Sequence, residues 1–137
     1  MPFELTIVTP GGQAYQGTVE RVILPGSEGE FGVLAGHERF LSSLRIGAVE
    51  ILTQEGSLYA AIADGFAEVD GNTVTVLVDS CELEHEIDAA RADAAATAAQ
   101  QVLERAAGEE DPERYRQFEA ALERARTRVS VSKRKRQ

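Results

Sequence analysis

The sequence predicts an α+β fold in which an N-terminal antiparallel β-sandwich is followed by a C-terminal antiparallel two-helix hairpin. Through residue 79 the chain shows alternation or short apolar runs broken by turn residues, which is typical of strands. After Glu82 the composition changes to alanine, glutamate and arginine, with no proline until Pro112, which is typical of helices. The 137 residues suffice for one compact core with an extension, so we expect a sandwich over residues 1–84 and a hairpin over residues 85–137.

The strands of the predicted sandwich follow from five apolar or alternating segments. They are Phe3–Ile7, Val19–Leu24, Ala48–Leu52, Leu58–Ala63 and Thr73–Val78. Turn residues separate the strands at the spacing expected of a sandwich or barrel, at Pro10–Gly12, Pro25–Gly26, Gln54–Ser57 and Asp70–Asn72. The last of these clusters, between Val69 and Val74, predicts a tight hairpin.

The stretch from Gly26 to Gly47 is rich in glycine and contains one of the two histidines of the chain. Glycine allows backbone angles that other residues resist, and it lets another chain approach closely. The same stretch includes the apolar pair Phe40 and Leu41. We therefore interpret it as a shaped loop at which a partner docks.

Two helices are expected in the C-terminal part. The first runs from about Ile87 to Ala107 and ends at Gly108, and Asp111 and Pro112 supply the N-cap and the first-turn proline of the second. The expected apolar face of the first helix consists mainly of small residues, namely Ala95, Ala98, Ala99, Val102 and Ala106. The second helix carries one apolar stripe at steps of three and four, namely Tyr115, Phe118, Leu122, Ala125 and Val129.

The alanine-rich face of the first helix limits how firmly the hairpin is held. Small side chains bury little apolar area, so docking gains only a modest hydrophobic contribution after the cost of ordering the chain. Two interpretations follow from this. Either the hairpin detaches or repacks without unfolding the sandwich, or it stays permanently docked and covers one side of the sheet.

Charge is distributed unequally along the chain. Residues 1–86 carry three basic and fourteen acidic side chains, whereas residues 87–137 carry eleven basic and nine acidic ones. The C-terminal end contains only basic charges, at Arg124, Arg126, Arg128, Lys133, Arg134, Lys135 and Arg136. This basic end predicts contact with an acidic protein surface. A solvated helix end and a small nucleic-acid-binding adaptor are the alternatives, and the acidic remainder and the lack of aromatic residues among these charges disfavour the adaptor.

Catalytic and metal-binding motifs are missing from the sequence. Cys81 is the single cysteine, which excludes an internal disulfide, and two histidines without a suitable spacing give no zinc signature. Neither a phosphate-binding glycine loop nor a nucleophile elbow is present, so we expect a non-catalytic protein. Cys81 is either a reactive thiol or a residue with only a packing role at the end of a strand. No segment resembles a membrane span or a secretion signal, so we expect a soluble, cytosolic protein.

The glycine-rich stretch also carries a family resemblance. Gly29 to His37 reads Gly-Glu-Phe-Gly-Val-Leu-Ala-Gly-His, which resembles a run in the epsilon subunit of bacterial F-type ATP synthases, with Ala35 in place of the usual proline. Further matches follow in the same order as in the family, at Val8–Gly12, Val22–Glu30, Asp64–Leu77 and Glu86–Ala92. The resemblance therefore covers nearly the whole chain.

This resemblance implies a non-catalytic subunit in the rotating central stalk of a proton-translocating ATP synthase. It implies a place on the cytoplasmic face of the bacterial plasma membrane, with membrane contact only through the complex. The expected partners are the gamma subunit, the c-ring and, when the hairpin is extended, the alpha and beta subunits; no nucleic acid is expected. Glu30 and His37 would contact the c-ring or gamma. In the extended hairpin, which restrains ATP hydrolysis, the catalytic subunits would be met by Arg124, Arg126 and Arg128.

The segment Ile87–Ala92 resembles the one with which some bacterial members of the family bind ATP at the hairpin. Five residues match the family's ATP-binding positions, namely Glu82, Asp88, Arg91, Arg124 and Arg128. Ala98 stands where tight binders have an additional arginine, so the resemblance implies weak or absent ATP binding and no other cofactor. Without any nucleotide, Asp88 also fits a helix start and Arg91 a surface pair.

Overall fold

The structure, a computed structural model, describes residues 2–134, except for the side chain of His37. Within this range ten strands precede a short 3-10 helix, Glu84–Glu86, and two α-helices, α1 (Ala89–Arg105) and α2 (Pro112–Lys133). The strands are β1 (Phe3–Thr9), β2 (Gly12–Val19), β3 (Arg21–Gly26), β4 (Gly29–Val33), β5 (His37–Leu44), β6 (Gly47–Thr53), β7 (Gly56–Ile62), β8 (Gly65–Gly71), β9 (Thr73–Val78) and β10 (Cys81–Leu83). The predicted sandwich followed by a two-helix hairpin is confirmed.

The strands form one continuous ladder that folds over on itself. Its order is β10-β7-β6-β3-β5-β8-β9-β1-β2, and β4 pairs with the free side of β3. A single residue pair, Gly26 with Leu44, joins β3 to β5. We call β5-β8-β9-β1-β2 the front layer and β10-β7-β6-β3 the back layer. The pairs are antiparallel except β1 with β9, which is parallel. The hairpin predicted between Val69 and Val74 is the β8–β9 connection.

The main hydrophobic core lies between the two layers. Alternate residues of the strands point inward, as the period of two predicts. Its members come from β1 to β9, namely Phe3, Leu5, Ile7, Val19, Val22, Leu24, Val33, Leu44, Val49, Ile51, Ala60, Ile62, Ala67, Val69, Val74, Val76 and Val78. The hairpin contributes no residue to this cluster. We call residues 2–83, which hold this core, the body.

The glycine-rich stretch is more ordered than the sequence interpretation suggested. The prediction of a long shaped loop is wrong, because the stretch forms the end of β3, then β4 and β5. Pro25 and Gly26 belong to β3 and are buried, and the chain reverses after them at residues 27–28. Gly26 is required by close packing, since a Cβ there would lie 2.6 Å from the carbonyl oxygen of Gly29. Gly29 and Gly36 have φ angles of 133° and 80°, which L side chains resist.

The two helices begin as the sequence indicates. Asp88 is the N-cap of α1, with its side chain accepting a hydrogen bond from the amide of Arg91. Asp111 caps α2, and Pro112 occupies the first turn, as predicted. The two helices pack against each other. Among residues 2–134, no helix is long and apolar enough to cross a membrane.

The packed face of α1 differs from the prediction. Ala95, Ala98 and Val102 are exposed, whereas Ala92 is buried. The half-buried residues of the helix that continue from Ala92 are Ala96, Ala99, Gln100, Leu103 and Ala106. The prediction is right for Ala99 and Ala106 and wrong for the other three residues, because alanines on every side of the helix leave almost no contrast from which to choose a face. The predicted stripe of α2 is confirmed, with Leu122 and Ala125 buried and the other members half-buried.

The hairpin is attached to the body through α2, which packs on β6 and β7 of the back layer. The buried apolar residues of α2 are Leu122, Ala125 and Val131. On the body, Ile46, Ala61 and Ala63 are also buried but lie outside the main core cluster. We call these six residues the seam. The seam is small and separate from the main core. The hairpin is therefore attached to the body by a hydrophobic contact of its own.

Candidate functional site

A cleft of 320 Å³ lies where β10, the start of α1 and the end of α2 meet. Its walls contain four of the five residues that the resemblance assigned to ATP binding, namely Glu82, Asp88, Arg91 and Arg128. The fifth residue, Arg124, lines a much smaller recess beside it, together with Glu82 and Arg128. The fold therefore brings together side chains that are distant in sequence.

The acidic groups of this cleft already have partners within the chain. Arg128 Nε donates a hydrogen bond of 2.5 Å to Glu82 Oε1. Asp88 Oδ1 accepts one of 3.1 Å from the amide of Arg91, as an N-cap does. Glu86 accepts one of 2.8 Å from the amide of Leu83. A nucleotide phosphate would have to compete with Glu82 for Arg128.

Ala98, which replaces an arginine of the tight ATP binders, is exposed on α1. It does not line the cleft, and its methyl group offers no donor to a phosphate. Ala92 and Ala95, which do line the cleft, are also without polar groups. Along α1 the cleft therefore has a single cation, Arg91.

Cys81 lies in β10 beside this cleft. Burial raises the pKa of its thiol from 9.0 to about 11, and the nearby Glu86 and Glu82 add to the increase. Since the thiolate is the nucleophilic form, the group is protonated and unreactive near neutral pH. Cys81 also packs against the main core. Of the two interpretations of this cysteine, the structure favours the one in which Cys81 only packs and does not react.

The second candidate surface is the edge formed by β4 and β5. These strands do not pair with each other, and a groove of 560 Å³ runs between them, lined by Glu28, Glu30, Phe31, Leu41 and neighbouring serines and glycine. Glu30 is exposed on β4. Phe31 and Phe40 fix the spacing of the two strands through an edge-to-face contact at 5.8 Å between ring centroids. His37 begins β5, and its side chain lies outside the described residues.

The front layer carries an exposed apolar patch of which the sequence analysis singled out only Leu41. Leu41, Phe66 and Leu77 have 67%, 53% and 52% of their surface exposed. They share the outer face, because Phe66 pairs directly with Leu77 and Leu41 pairs with Glu68, two residues along β8 from Phe66. We call these three residues the front patch. Its signal in the sequence is one apolar residue in each of three strands at a position that the alternation assigns to the solvent face.

The basic side chains of α2 lie on two sides of the helix. Arg124 is exposed, Arg128 is held by Glu82, and Arg126 Nη2 donates a hydrogen bond of 2.7 Å to Gln100 Oε1 of α1. Lys133 and Arg134 are exposed at the end of α2, whereas Lys135 and Arg136 lie outside the described residues. The three arginines that were expected to meet the catalytic subunits are therefore only partly free in the docked hairpin.

Residues 2–133 match known domains of one family. Residues 2–84 match the model of the ATP synthase delta/epsilon chain β-sandwich domain. Residues 85–133 match the model of the ATP synthase delta/epsilon chain long α-helix domain. A small β-sandwich with an appended helical hairpin is thus the class of protein that both the fold and the family models define. The chain belongs to the delta/epsilon chains of ATP synthase, and its full-length relatives place it among the epsilon chains.

Three bacterial relatives illustrate the similarity. The ATP synthase epsilon chain of Synechococcus sp. (strain WH7803) is 35% identical over 133 residues, which cover 97% of this chain and 98% of that one. The epsilon chain of Geotalea uraniireducens (strain Rf4) is 39% identical over 129 residues, covering 94% and 92%. That of Staphylococcus aureus (strain JH9) is 37% identical over 129 residues, covering 93% and 94%.

Solved ATP synthases contain chains of the same fold. A chain in the mitochondrial ATP synthase of Euglena gracilis, solved with OSCP, F1 and the c-ring, is 26% identical, with a TM-score of 0.78 over 95% of this chain and 81% of that chain. A chain in the central stalk and c-ring of the Tetrahymena thermophila enzyme is 19% identical with a TM-score of 0.51, over 61% of this chain and 67% of that one. The second likeness supports the fold alone.

Proposed function

We propose that this chain is a non-catalytic subunit of the rotating central stalk, whose body joins the gamma subunit to the c-ring and whose hairpin regulates ATP hydrolysis. On this proposal residues 1–84 form the docking domain and residues 85–137 the regulatory one. The chain works on the cytoplasmic face of the bacterial plasma membrane and meets the membrane only through the complex. The catalytic chemistry of the enzyme belongs to the alpha and beta subunits.

The front patch is the observation that carries this proposal. Three large apolar side chains exposed side by side on a small acidic body are costly in water, and such patches mark contact surfaces. The patch lies on the front layer, whereas the hairpin packs on the back layer. A partner can therefore occupy the front while the hairpin docks or leaves at the back. We assign the front patch to gamma and the β4–β5 edge, with Glu30 and His37, to the c-ring, and Leu41 lies where the two surfaces meet.

The regulatory role rests on the separate attachment of the hairpin. When α2 leaves the back layer and separates from α1, Arg124, Arg126 and Arg128 become available to an acidic surface of the alpha and beta subunits. The docked form holds two of these arginines in hydrogen bonds with Glu82 and Gln100. Undocking from the body frees Arg128 from Glu82, and separation of α2 from α1 frees Arg126 from Gln100, so both steps are required before all three can act together to inhibit hydrolysis.

ATP binding at the hairpin cleft is weak or absent on this proposal. The ion pair between Glu82 and Arg128 occupies the cation that a phosphate would use, and Ala98 supplies none. No cofactor is needed for the structural role. Isothermal titration of the chain with ATP checks this part, and a submicromolar dissociation constant would contradict it.

Co-purification with gamma tests the docking role. Leu77→Ser should reduce recovery of the chain with gamma at least tenfold, because removing an apolar anchor from the centre of an interface costs more than about 1.4 kcal/mol. Val102→Ser on α1 is the matched control, since Val102 is also an exposed apolar residue but lies on the hairpin. Failure of the wild-type chain to bind gamma, or equal losses for the two variants, would overturn the proposal.

The rate of ATP hydrolysis by the assembled enzyme tests whether the arginines of α2 inhibit it. Replacing Arg124 and Arg126 by glutamine should raise ATPase activity, and added salt should raise the wild-type activity toward the same level because it screens the contact. The control replaces Arg114 and Arg116, two exposed arginines in the first half of the same helix, by glutamine. Unchanged hydrolysis in the first variant, or an equal increase in the control, would exclude these arginines as the inhibitory residues.

A further inference from the structure

A second cleft, of 250 Å³, separates the body from the polar side of α2. On the body it is lined by the β3–β4 hairpin and by the connection from β5 to β6, and on the hairpin by successive turns of α2. Of the residues that the structure describes, five charged ones face this space. Glu30 and Arg45 come from the body, and Glu123, Arg126 and Arg134 come from α2.

The cations of this cleft are oriented by contacts of their own. Arg45 Nε donates a hydrogen bond of 3.3 Å to the carbonyl oxygen of Gly26. Arg126 is bonded to Gln100, and the guanidinium of Arg134 lies over the ring of Tyr59, 5.9 Å from its centroid. Hydrogen bonds to neutral groups and an aromatic contact leave the charges uncancelled. The positive side of α2 is therefore held in place above the body.

The balance of charge across the cleft depends on Glu30. The face of α2 carries two arginines and one glutamate, and so it is positive. On the body, Glu30 offsets Arg45, and without that carboxylate two positive faces would oppose each other. Glu30 is also the residue that the proposed function assigns to the c-ring. One carboxylate thus belongs to both surfaces.

We propose that Glu30 is a docking residue for the hairpin as well, so that occupation of Glu30 by a partner and docking of α2 oppose each other. The competition with the c-ring rests on the proposed function. The stabilisation of docked α2 by Glu30 does not rest on it. A cationic or hydrogen-bond-donating loop that binds the carboxylate neutralises the negative charge that faces Arg126 and Arg134 across the cleft. Because coupling between two sites is reciprocal, release of the hairpin strengthens the contact at Glu30 by the same factor.

The contribution of Glu30 to docking of α2 is tested in the isolated full-length chain by hydrogen exchange of the α2 amides. Glu30→Gln should speed this exchange about two- to fivefold, the range expected for a charge interaction near the surface. Arg45→Gln should slow it by a similar factor, because it leaves the body side negative. Glu28→Gln is the matched control, since Glu28 is a neighbouring exposed acid that does not line this cleft. All differences should shrink in about 0.5 M salt.

The test is decisive because Glu30→Gln and Arg45→Gln should change the exchange rate in opposite directions. Equal effects of Glu30→Gln and Glu28→Gln, or faster exchange in Arg45→Gln, would overturn the proposal. Faster exchange in Arg45→Gln that appears only with added inorganic phosphate would instead assign the cleft to an anion bridging the two sides.

The coupling is tested by binding to a gamma and c-ring subcomplex. Arg126→Gln, which weakens the hold on Glu30, should raise affinity about two- to fivefold in the wild-type background and leave it unchanged in the Glu30→Gln background. An unchanged affinity in both backgrounds overturns the coupling. If no variant binds the subcomplex at all, the proposed function fails, and the exchange experiment still decides whether Glu30 holds the hairpin.

Discussion

The body and the hairpin differ in how each is held together. The body has a continuous core to which strands β1 to β9 contribute. The hairpin has a capped pair of helices, a seam with three buried apolar residues on α2, and a few polar contacts to the back layer. The larger core carries most of the hydrophobic stabilisation, since that free energy grows with the apolar area buried.

Because of this difference, the hairpin can open while the body stays folded. Elements with few buried contacts open at lower free energy than the core of the same protein. α1 illustrates the point, because it packs on α2 through alanines and Leu103 and has one fully buried residue, Ala92. The proposed function, in which the body binds the central stalk while the hairpin moves, requires this difference in stability.

The largest expected effect comes from the core of the body. Ile51→Ala removes a fully buried side chain and leaves a cavity, so it should lower the free energy of unfolding by about 2–5 kcal/mol. Urea denaturation followed by circular dichroism measures this change. A loss below about 1 kcal/mol would show that the core is not the main source of stability.

The matching change in the seam is Leu122→Ala. It should cost docking of the hairpin about 2 kcal/mol while the urea midpoint of the body stays within error of the wild type. Trypsin should then cleave at the arginines of α2 more than tenfold faster, because undocked helices fray. If the body loses stability to the same extent as in Ile51→Ala, the seam and the core are one unit and the comparison fails.

A smaller effect is expected from the ion pair that fastens α2 to β10. Its two side chains are 39% and 40% exposed, so solvent screens the pair, and removing it should cost hairpin docking about 0.5–1 kcal/mol. A double-mutant cycle with Glu82→Gln and Arg128→Gln, read by the same trypsin assay, isolates the coupling. A coupling that does not weaken with salt would contradict its electrostatic origin.

The sequence sufficed for the elements with strong local signals. The alternating strands, the tight β8–β9 turn, the caps at Asp88 and Asp111 and the stripe of α2 all follow from local periodicity and capping. The glycine-rich stretch was misinterpreted because the pairing of β4 with β3 is a tertiary choice that its composition obscures. The parallel pairing of β1 with β9 likewise depends on residues far apart in the chain.

The candidate surfaces show the same limit. The resemblance pointed to Glu82 and Arg128, but only the fold shows that they already pair with each other. It also grouped Arg124 with them, and the structure places all three around the small recess, whereas Asp88 and Arg91 line the cleft beside it. The front patch needed the register of β5, β8 and β9, because Phe66 and Leu77 give no signal of their own in the sequence and only strand pairing places them on the same face as Leu41. Contacts between distant segments are what the local pattern leaves out.

Native-state hydrogen exchange of the wild-type chain in increasing low concentrations of denaturant tests the separate attachment of the hairpin most directly. It resolves the opening free energy of α1 and α2 from that of the strands. We predict that the helix amides exchange through an opening several kcal/mol below global unfolding, with the core strands still protected. Exchange of the helices and the core strands at one common free energy would contradict the account, because the hairpin would then leave the body only when the whole protein unfolds.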